Sequence, residues 1–340
     1  MAKRLFSLLL TAALLLSCAV CAFAADEPAP IPVLSEEEIQ PTPKGIHHYM
    51  LICMDQWDGK KHFDTFSPGH TDGLILVTVD EYAQRVMLTS FIRDMLIQRP
   101  DGDFGRINNV MGFFNKDENG KYNGVRGIEA LIGVINSHFD LRIEDYIVVD
   151  FKQVENIVNA VGGVDITVTS KEAQYLKNYP LPASSTTPAL SGAGTYHFTG
   201  NAAVIYMRIR RVATMEYLHE DGTVRKDTQD VGRTYRARTV LTSIADSLKD
   251  VTYDDAAKLL DVIVENTVTT NMSTNDMLDA LDLAMELRGI PVESIRMPID
   301  GTYESMPVAG MATQQIDFIK NREALWDFLV DPFAVVEDAE

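Results

Sequence analysis

Residues 206–211 read Tyr-Met-Arg-Ile-Arg-Arg, and residues 230–236 read Asp-Val-Gly-Arg-Thr-Tyr-Arg. Eight basic residues fall between Arg208 and Arg238, in a chain with only 30 Lys and Arg against 49 Asp and Glu. Guanidinium groups are planar, permanently charged, bidentate donors, which suits phosphate and pyrophosphate oxygens better than the point charge of lysine. The cluster therefore predicts a site for an anion. The same arginines could instead pair with Glu216, Glu220, Asp221, Asp227 and Asp230 as a solvated network, and spacing alone leaves both readings open.

The N-terminus bears on where this chemistry takes place. Lys3 and Arg4 precede an apolar run from Leu5 to Leu16, and Ala22 and Ala24 supply small residues at −3 and −1, so cleavage after Ala24 is expected. Two other routes stay open. Residues 15–18, Leu-Leu-Ser-Cys, form an imperfect lipobox, and the 21 uncharged residues from Leu5 to Ala25 could span a bilayer if uncut. All three export the body of the protein. Without residues 1–24 the chain keeps 28 basic and 49 acidic residues, a net charge of −21, which argues against nucleic acid as a partner. Cys18 and Cys21 lie in the leader, so Cys53 has no intramolecular partner and reads as a small buried hydrophobe.

Five prolines and several acids between residues 26 and 43 predict a tether, so that residues 25–43 form a linker, 44–332 one domain and 333–340 an acidic tail. Apolar runs at 46–54, 74–79, 85–90, 146–151 and 164–168 predict strands. Residues 125–139 place Ile128, Leu131, Ile132, Ile135 and Phe139 on one helical face, and residues 152–161 do the same with Val154, Ile157, Val158 and Val161. Residues 176–199, rich in Pro, Ser, Thr and Gly, are expected to wander over the surface. Beyond Gly200 the chain reads as largely helical, with long helices at 230–248 and 274–287. The fold class that follows is α/β, or an α+β sandwich, with a mixed central β-sheet covered by helices.

The ordered landmarks resemble the LytR-CpsA-Psr family of cell-envelope proteins, best over residues 46–250. Met54-Asp55 resembles the end of the family's first strand, and residues 70–72, His-Thr-Asp, resemble its Arg-Ser-Asp element. Residues 90–94, Ser-Phe-Ile-Arg-Asp, and 106–108, Arg-Ile-Asn, resemble Ser-Ile-Pro-Arg-Asp and Lys-Ile-Asn. Tyr146 to Phe151 and the Gly162-Gly163 pair follow in order, then the segment from Gly200 to Arg210, and last the set Asp230, Arg233 and Arg236.

What the resemblance implies is an extracytoplasmic, membrane-associated phosphotransferase. Such enzymes move a glycopolymer, a teichoic acid, capsule or similar, from a polyprenyl-pyrophosphate carrier to a peptidoglycan acceptor, with Mg²⁺ and an apolar lipid channel. Position for position, Arg93, Arg106, Arg208, Arg210, Arg233 and Arg236 would meet the pyrophosphate, with Arg93, Asp94, Arg208 and Arg210 at the reacting centre. Asp55 and Asp72 would hold Mg²⁺, although from spacing alone they read as a strand end and a cap. Asp94 is expected to orient Arg93 rather than to accept the hydroxyl proton. The helical faces at 128–139 and 154–161 are candidates for the lipid wall, and core packing explains them equally. His70, Ile92 and Ala237 depart from the family's Arg, Pro and Gln, which motivates an alternative: a non-catalytic binder of polyprenyl-phosphate lipids or anionic wall polymers. Transcriptional regulation is disfavoured by the export signal and acidic body, and a metallohydrolase by the lack of a His-Glu-x-x-His spacing; His47-His48 is a lone pair at a strand start.

Overall fold

The computed structural model describes residues 28–55, 70–179, 181–210, 215–219, 221–227, 231–266, 269–308 and 310–330. The leader at 1–24, Arg211, Glu220, Asp230 and the acidic tail at 333–340 lie outside the described residues.

Strict alternation of buried and half-buried residues makes β1 (Ile46–Met54) the spine of the fold. It pairs antiparallel with β2 (Thr71–Asp80), which pairs antiparallel with β3 (Arg85–Phe91). A short ribbon, β4 (Leu96–Gln98) and β5 (Phe104–Arg106), leads into α1 (Val110–Phe113) and α2 (Gly124–Phe139). Between these helices Gly120, at φ +75°, turns the chain after Asn119. β6 (Asp145–Asp150) then lies parallel to β1, as a crossover through a helix allows.

The chain continues as α3 (Phe151–Ala160), β7 (Val164–Val168), α4 (Ser170–Asn178), β8 (Thr186–Thr187), β9 (Gly194–Phe198) and α5 (Gly200–Met207). Asp150 and Gln153 start α3 with a reciprocal capping box. The stretch expected to wander thus holds the end of α4 and two strands, which join β7 in a sheet of order β7-β9-β8. After β10 (Glu216–Leu218) and β11 (Val224–Lys226) come α6 (Val231–Ser247), α7 (Tyr253–Glu265), β12 (Thr269–Thr270) and α8 (Thr274–Glu286). The C-terminal part is less helical than expected. It contains β13 (Val292–Met297), β14 (Tyr303–Val308) and β15 (Met311–Ile316) before α9 (Phe318–Leu329).

β13 adds parallel to β3 and β12 antiparallel to β6, so the central sheet runs β12-β6-β1-β2-β3-β13 and is mixed. One face packs on α2: Met50, Ile52, Leu76 and Val148 meet Ile128, Leu131, Ile135 and Phe139 in the main core. The 128–139 face is therefore core and not a lipid wall. A second cluster, with Val158, Ile166, Phe198 and Tyr206, joins α3 and α5 to the small sheet. The expected tether packs on the domain, with Ile31 against the main core. Leu34 N–H donates to the Ser137 carbonyl at 2.9 Å, Glu36 pairs with Arg142 at 2.8 Å and Ile39 is buried.

Candidate functional site

Asp72 stands at the start of β2, where a register irregularity between Cys53 and Met54 disturbs the pairing with β1. Its carboxylate is nearly buried and receives two guanidinium groups: Arg93 Nη1 at 2.5 Å and Arg233 Nη2 at 2.6 Å. Burial alone would raise this carboxyl, but Arg233 and Arg93 outweigh it and hold it below the usual carboxylate range. Arg93 comes from the turn after β3 and Arg233 from the first turn of α6. Asp55, one residue past β1, is held near His70 by its own N–H, which donates to the His70 carbonyl at 3.0 Å. Its carboxylate lies 3.6 Å from Arg208 Nη2.

Arg208 is the residue that caps α5, and beyond it Ile209 is buried in the core while Arg208 and Arg210 line the polar pocket. The Arg208 guanidinium also stacks 4.4 Å from the Phe151 ring centre, which limits its swing. Gly200 makes this placement possible. A Cβ there would sit 2.0 Å from the Glu155 carbonyl oxygen, so only glycine lets α5 lie against α3.

Asp55, Asp72, Arg208, Arg210 and Arg233 line one polar pocket of about 540 Å³ with Tyr175 and Tyr179. Three guanidinium groups against two carboxylates leave it one net positive charge inside an acidic chain. The two tyrosines, stacked at 6.3 Å, were not singled out from the sequence, although their i, i+4 spacing is the signal of a shared helical side.

Asp72 and Arg233 also line a second, apolar cavity of about 880 Å³. Its floor is the sheet face opposite the main core, with Leu51, Cys53, Gly73 and Ile75; its roof is Val154 of α3 with Ala237, Val240, Leu241 and Ile244 of α6. Of the two helical faces proposed for a lipid wall, only the second contributes here. Burial pushes the Cys53 thiol up to about 12, so it stays a neutral wall residue.

Three of the predicted residues lie elsewhere. Arg236 is fully buried, and its donors go to Glu172 at 2.7 Å, Asp227 at 2.9 Å and the carbonyls of Ile209 and Glu216. It is a structural tie between α6, α4 and β10, not a pyrophosphate ligand, because burial and four hydrogen bonds leave it no route to an anion. Arg106 pairs with Asp94 at 3.1 Å behind Arg93 and does not line the polar pocket. Asp94, between Arg106 and Arg93 (3.9 Å), is placed to orient them. Arg225 bonds Asp221 at 2.7 Å, the surface pairing that was the alternative for the cluster.

Of the two carboxylates at the polar pocket, half-exposed Asp55 fits the shell that Mg²⁺ takes, in which waters and phosphate oxygens complete the set, whereas both oxygens of Asp72 already accept from Arg93 and Arg233 and would have to exchange a guanidinium for the ion. They do not make a protein-only cage. Among the described residues no three His, Cys, Asp or Glu side chains converge on a common metal position.

The model of the LytR_cpsA_psr family matches residues 49–324. The chain belongs to the LytR-CpsA-Psr family. It is 27% identical over 230 residues to biofilm regulatory protein A of Streptococcus mutans, covering 67% of this chain and 50% of that protein. It is 25% identical over 233 residues to the polyisoprenyl-teichoic acid–peptidoglycan teichoic acid transferase TagU of Bacillus licheniformis, covering 68% and 61%. The match thus spans about half to three-fifths of these LytR-CpsA-Psr relatives' own lengths. The fold is similar to that of TagT (YwtF) of Bacillus subtilis with bound octaprenyl pyrophosphate, at a TM-score of 0.58 and 17% identity over 89% of this chain and 99% of that one. Among the described residues no helix is long and apolar enough to cross a membrane.

Proposed function

We propose that this LytR-CpsA-Psr protein is an exported phosphotransferase that moves a glycopolymer from a polyprenyl-pyrophosphate carrier to peptidoglycan at the outer face of the membrane. One observation carries the reading: Asp72 and Arg233 wall both an arginine-lined polar pocket and an apolar cavity, so a ligand with a diphosphate head and a hydrocarbon tail suits both at once. The names of the TagU relative and of the lipid-bound TagT structure support it.

The transfer joins an acceptor hydroxyl oxygen to the phosphorus that carries the glycopolymer and breaks that phosphorus's bond to polyprenyl phosphate, which leaves as the monophosphate while the hydroxyl proton passes to solvent. Charge spreads over the phosphate oxygens as this bond breaks, so positioned cations are the main source of rate. Arg208, Arg210 and Arg233 supply them, with Arg208 steadied by Phe151 and Arg233 by Asp72. Asp94 acts as a positioning residue through Arg93 and Arg106. Asp55 and Asp72 would hold Mg²⁺, which when bound adds positive charge at the same oxygens. The apolar cavity keeps the lipid out of water and aligns the head group.

Incubation of the purified protein with lipid-linked glycopolymer, Mg²⁺ and peptidoglycan should yield a covalent glycopolymer–peptidoglycan product. Stoichiometric retention of the donor without product would overturn the transferase reading in favour of the binder.

A further inference from the structure

Among the described residues, α4 is the one element of the polar pocket that adds nothing to the apolar cavity. Asp72 and Arg233 line both spaces. Cys53, two residues before Asp55, and Met207, one before Arg208, line the cavity, whereas α4 brings Tyr175 and Tyr179 to the polar side alone. A further apolar cavity of about 870 Å³, under the hairpin of α7 and α8 with Leu260, Ile263 and Ala284 in its wall, shares no residue with either.

A buried ion pair sets the position of α4. Glu172, in its capping box, accepts from Arg236 at 2.7 Å, and Tyr175 and Tyr179 follow on the same side of the helix. Tyr175 is half-buried against the second core cluster and backs Tyr179, with ring centres 6.3 Å apart and planes 27° from parallel. Tyr179 is 40% exposed at the pocket. Its backbone is extended, at φ −81° and ψ 137°, which is the conformation that the following Pro180 favours. An exposed aromatic ring restrained in this way loses little freedom when a ligand covers it.

The chemistry of the transfer indicates what that ligand is. Displacement at phosphorus keeps the attacking and leaving oxygens in line. Polyprenyl phosphate leaves toward the apolar cavity, so the acceptor hydroxyl arrives at the end of the polar pocket away from it, the end that α4 supplies. The glycopolymer on the same phosphorus projects across that axis. A pyranose ring carries a face of polarised C–H groups that packs on the negative face of an aromatic ring and leaves its hydroxyls free at the edge. We propose that Tyr179, backed by Tyr175, is the acceptor platform, on which a pyranose ring of the peptidoglycan glycan strand stacks with its hydroxyl toward the phosphorus held by Arg208, Arg210 and Arg233. This rests on the function proposed above.

The test uses the full chain, octaprenyl pyrophosphate and a soluble disaccharide–peptide fragment of peptidoglycan, in binding titrations and in transfer assays with lipid-linked glycopolymer and Mg²⁺. Tyr179→Ala should raise both the Kd and the KM of the fragment about tenfold and leave octaprenyl pyrophosphate affinity within about twofold, whereas Tyr179→Phe, which keeps the ring, should stay within about threefold of the unsubstituted protein. Unchanged fragment affinity in Y179A would overturn the inference and leave the function standing. A loss confined to lipid-linked glycopolymer, at normal acceptor KM, would overturn it in favour of the donor's own sugar. Absence of transfer by the unsubstituted protein, with the fragment still bound through Tyr179, would instead overturn the function and keep the platform. A readout that needs no substitution is saturation transfer by NMR: irradiating tyrosine ring protons should label the ring C–H protons of the fragment, and no transfer would overturn the platform.

Discussion

Asp72 and Arg233 meet at 2.6 Å across 161 positions of sequence, and Arg93 closes on the other carboxylate oxygen. This nearly buried ion triad fixes the helix α6 to the sheet at the point where the polar pocket and the apolar cavity join. Removing the charge with Asp72→Asn leaves two guanidinium groups facing a neutral amide. The expected loss is about 3–5 kcal/mol of folding stability, read as a fall in the urea midpoint. A midpoint equal to that of the unsubstituted protein would show that the triad does not hold the fold.

Arg210 and Arg236 should respond in opposite ways, though both belong to the same basic cluster. Arg210→Ala is expected to weaken octaprenyl pyrophosphate binding more than tenfold and to change stability by less than about 0.5 kcal/mol. Arg236→Gln strands Glu172 and Asp227 in the interior, so it should cost about 3–5 kcal/mol while the folded fraction still binds. Calorimetric binding beside denaturation separates them. A swapped pattern would place Arg236 in the site after all.

Gly200→Ala tests how α5 positions its arginines. The added Cβ runs into the Glu155 carbonyl, so α5 must move off α3, with a loss of about 1–3 kcal/mol. Binding should weaken too, because Arg208 and Arg210 follow directly from α5. Retained affinity at reduced stability would mean that the arginines are placed independently of that packing.

Two buried histidines set an acid limit on the fold. Burial lowers both His48 and His138 from 6.5 to about 4. His138 Nε2 accepts the Gln98 N–H at 3.1 Å, so protonation there would set two donors face to face. The unfolded chain binds these protons first. Each neutral histidine therefore contributes stability that is fully present above pH 6.5 and is lost as pH falls to about 4, on the order of 3 kcal/mol per residue. Asp72, with its lowered carboxyl, adds a loss in the same direction at still lower pH. The urea midpoint should drop steeply across that window, and replacing either histidine by Gln should flatten the drop.

Much of the scaffold was legible because its signals are local. The apolar run of Ile46 to Met54 and the 3.6-residue period of Ile128 to Phe139 each depend only on near neighbours. The parallel β13 was missed because its pairing with β3 joins residues 206 positions apart, as in Val292 with Val86. Residues 194–198 were misread for a related reason: Gly194, at φ +154°, and the loop before it mask a short strand that forms only through pairing with β7, about 30 residues earlier, and with β8. At the site, residue type identified Arg208, Arg210 and Arg233, yet it could not separate them from Arg236. That distinction depends on Glu172, 64 residues away and itself held by the Thr169 capping box.

The two faces of the central sheet carry different burdens. The densely filled side against α2 holds the main core, while the side toward α3, α6, α7 and α8 carries two apolar cavities. Ala237 and Ala284 line these cavities without belonging to either core cluster, so substitutions there can reshape that side with little penalty to folding, and the space it offers a ligand can change while the architecture stays the same.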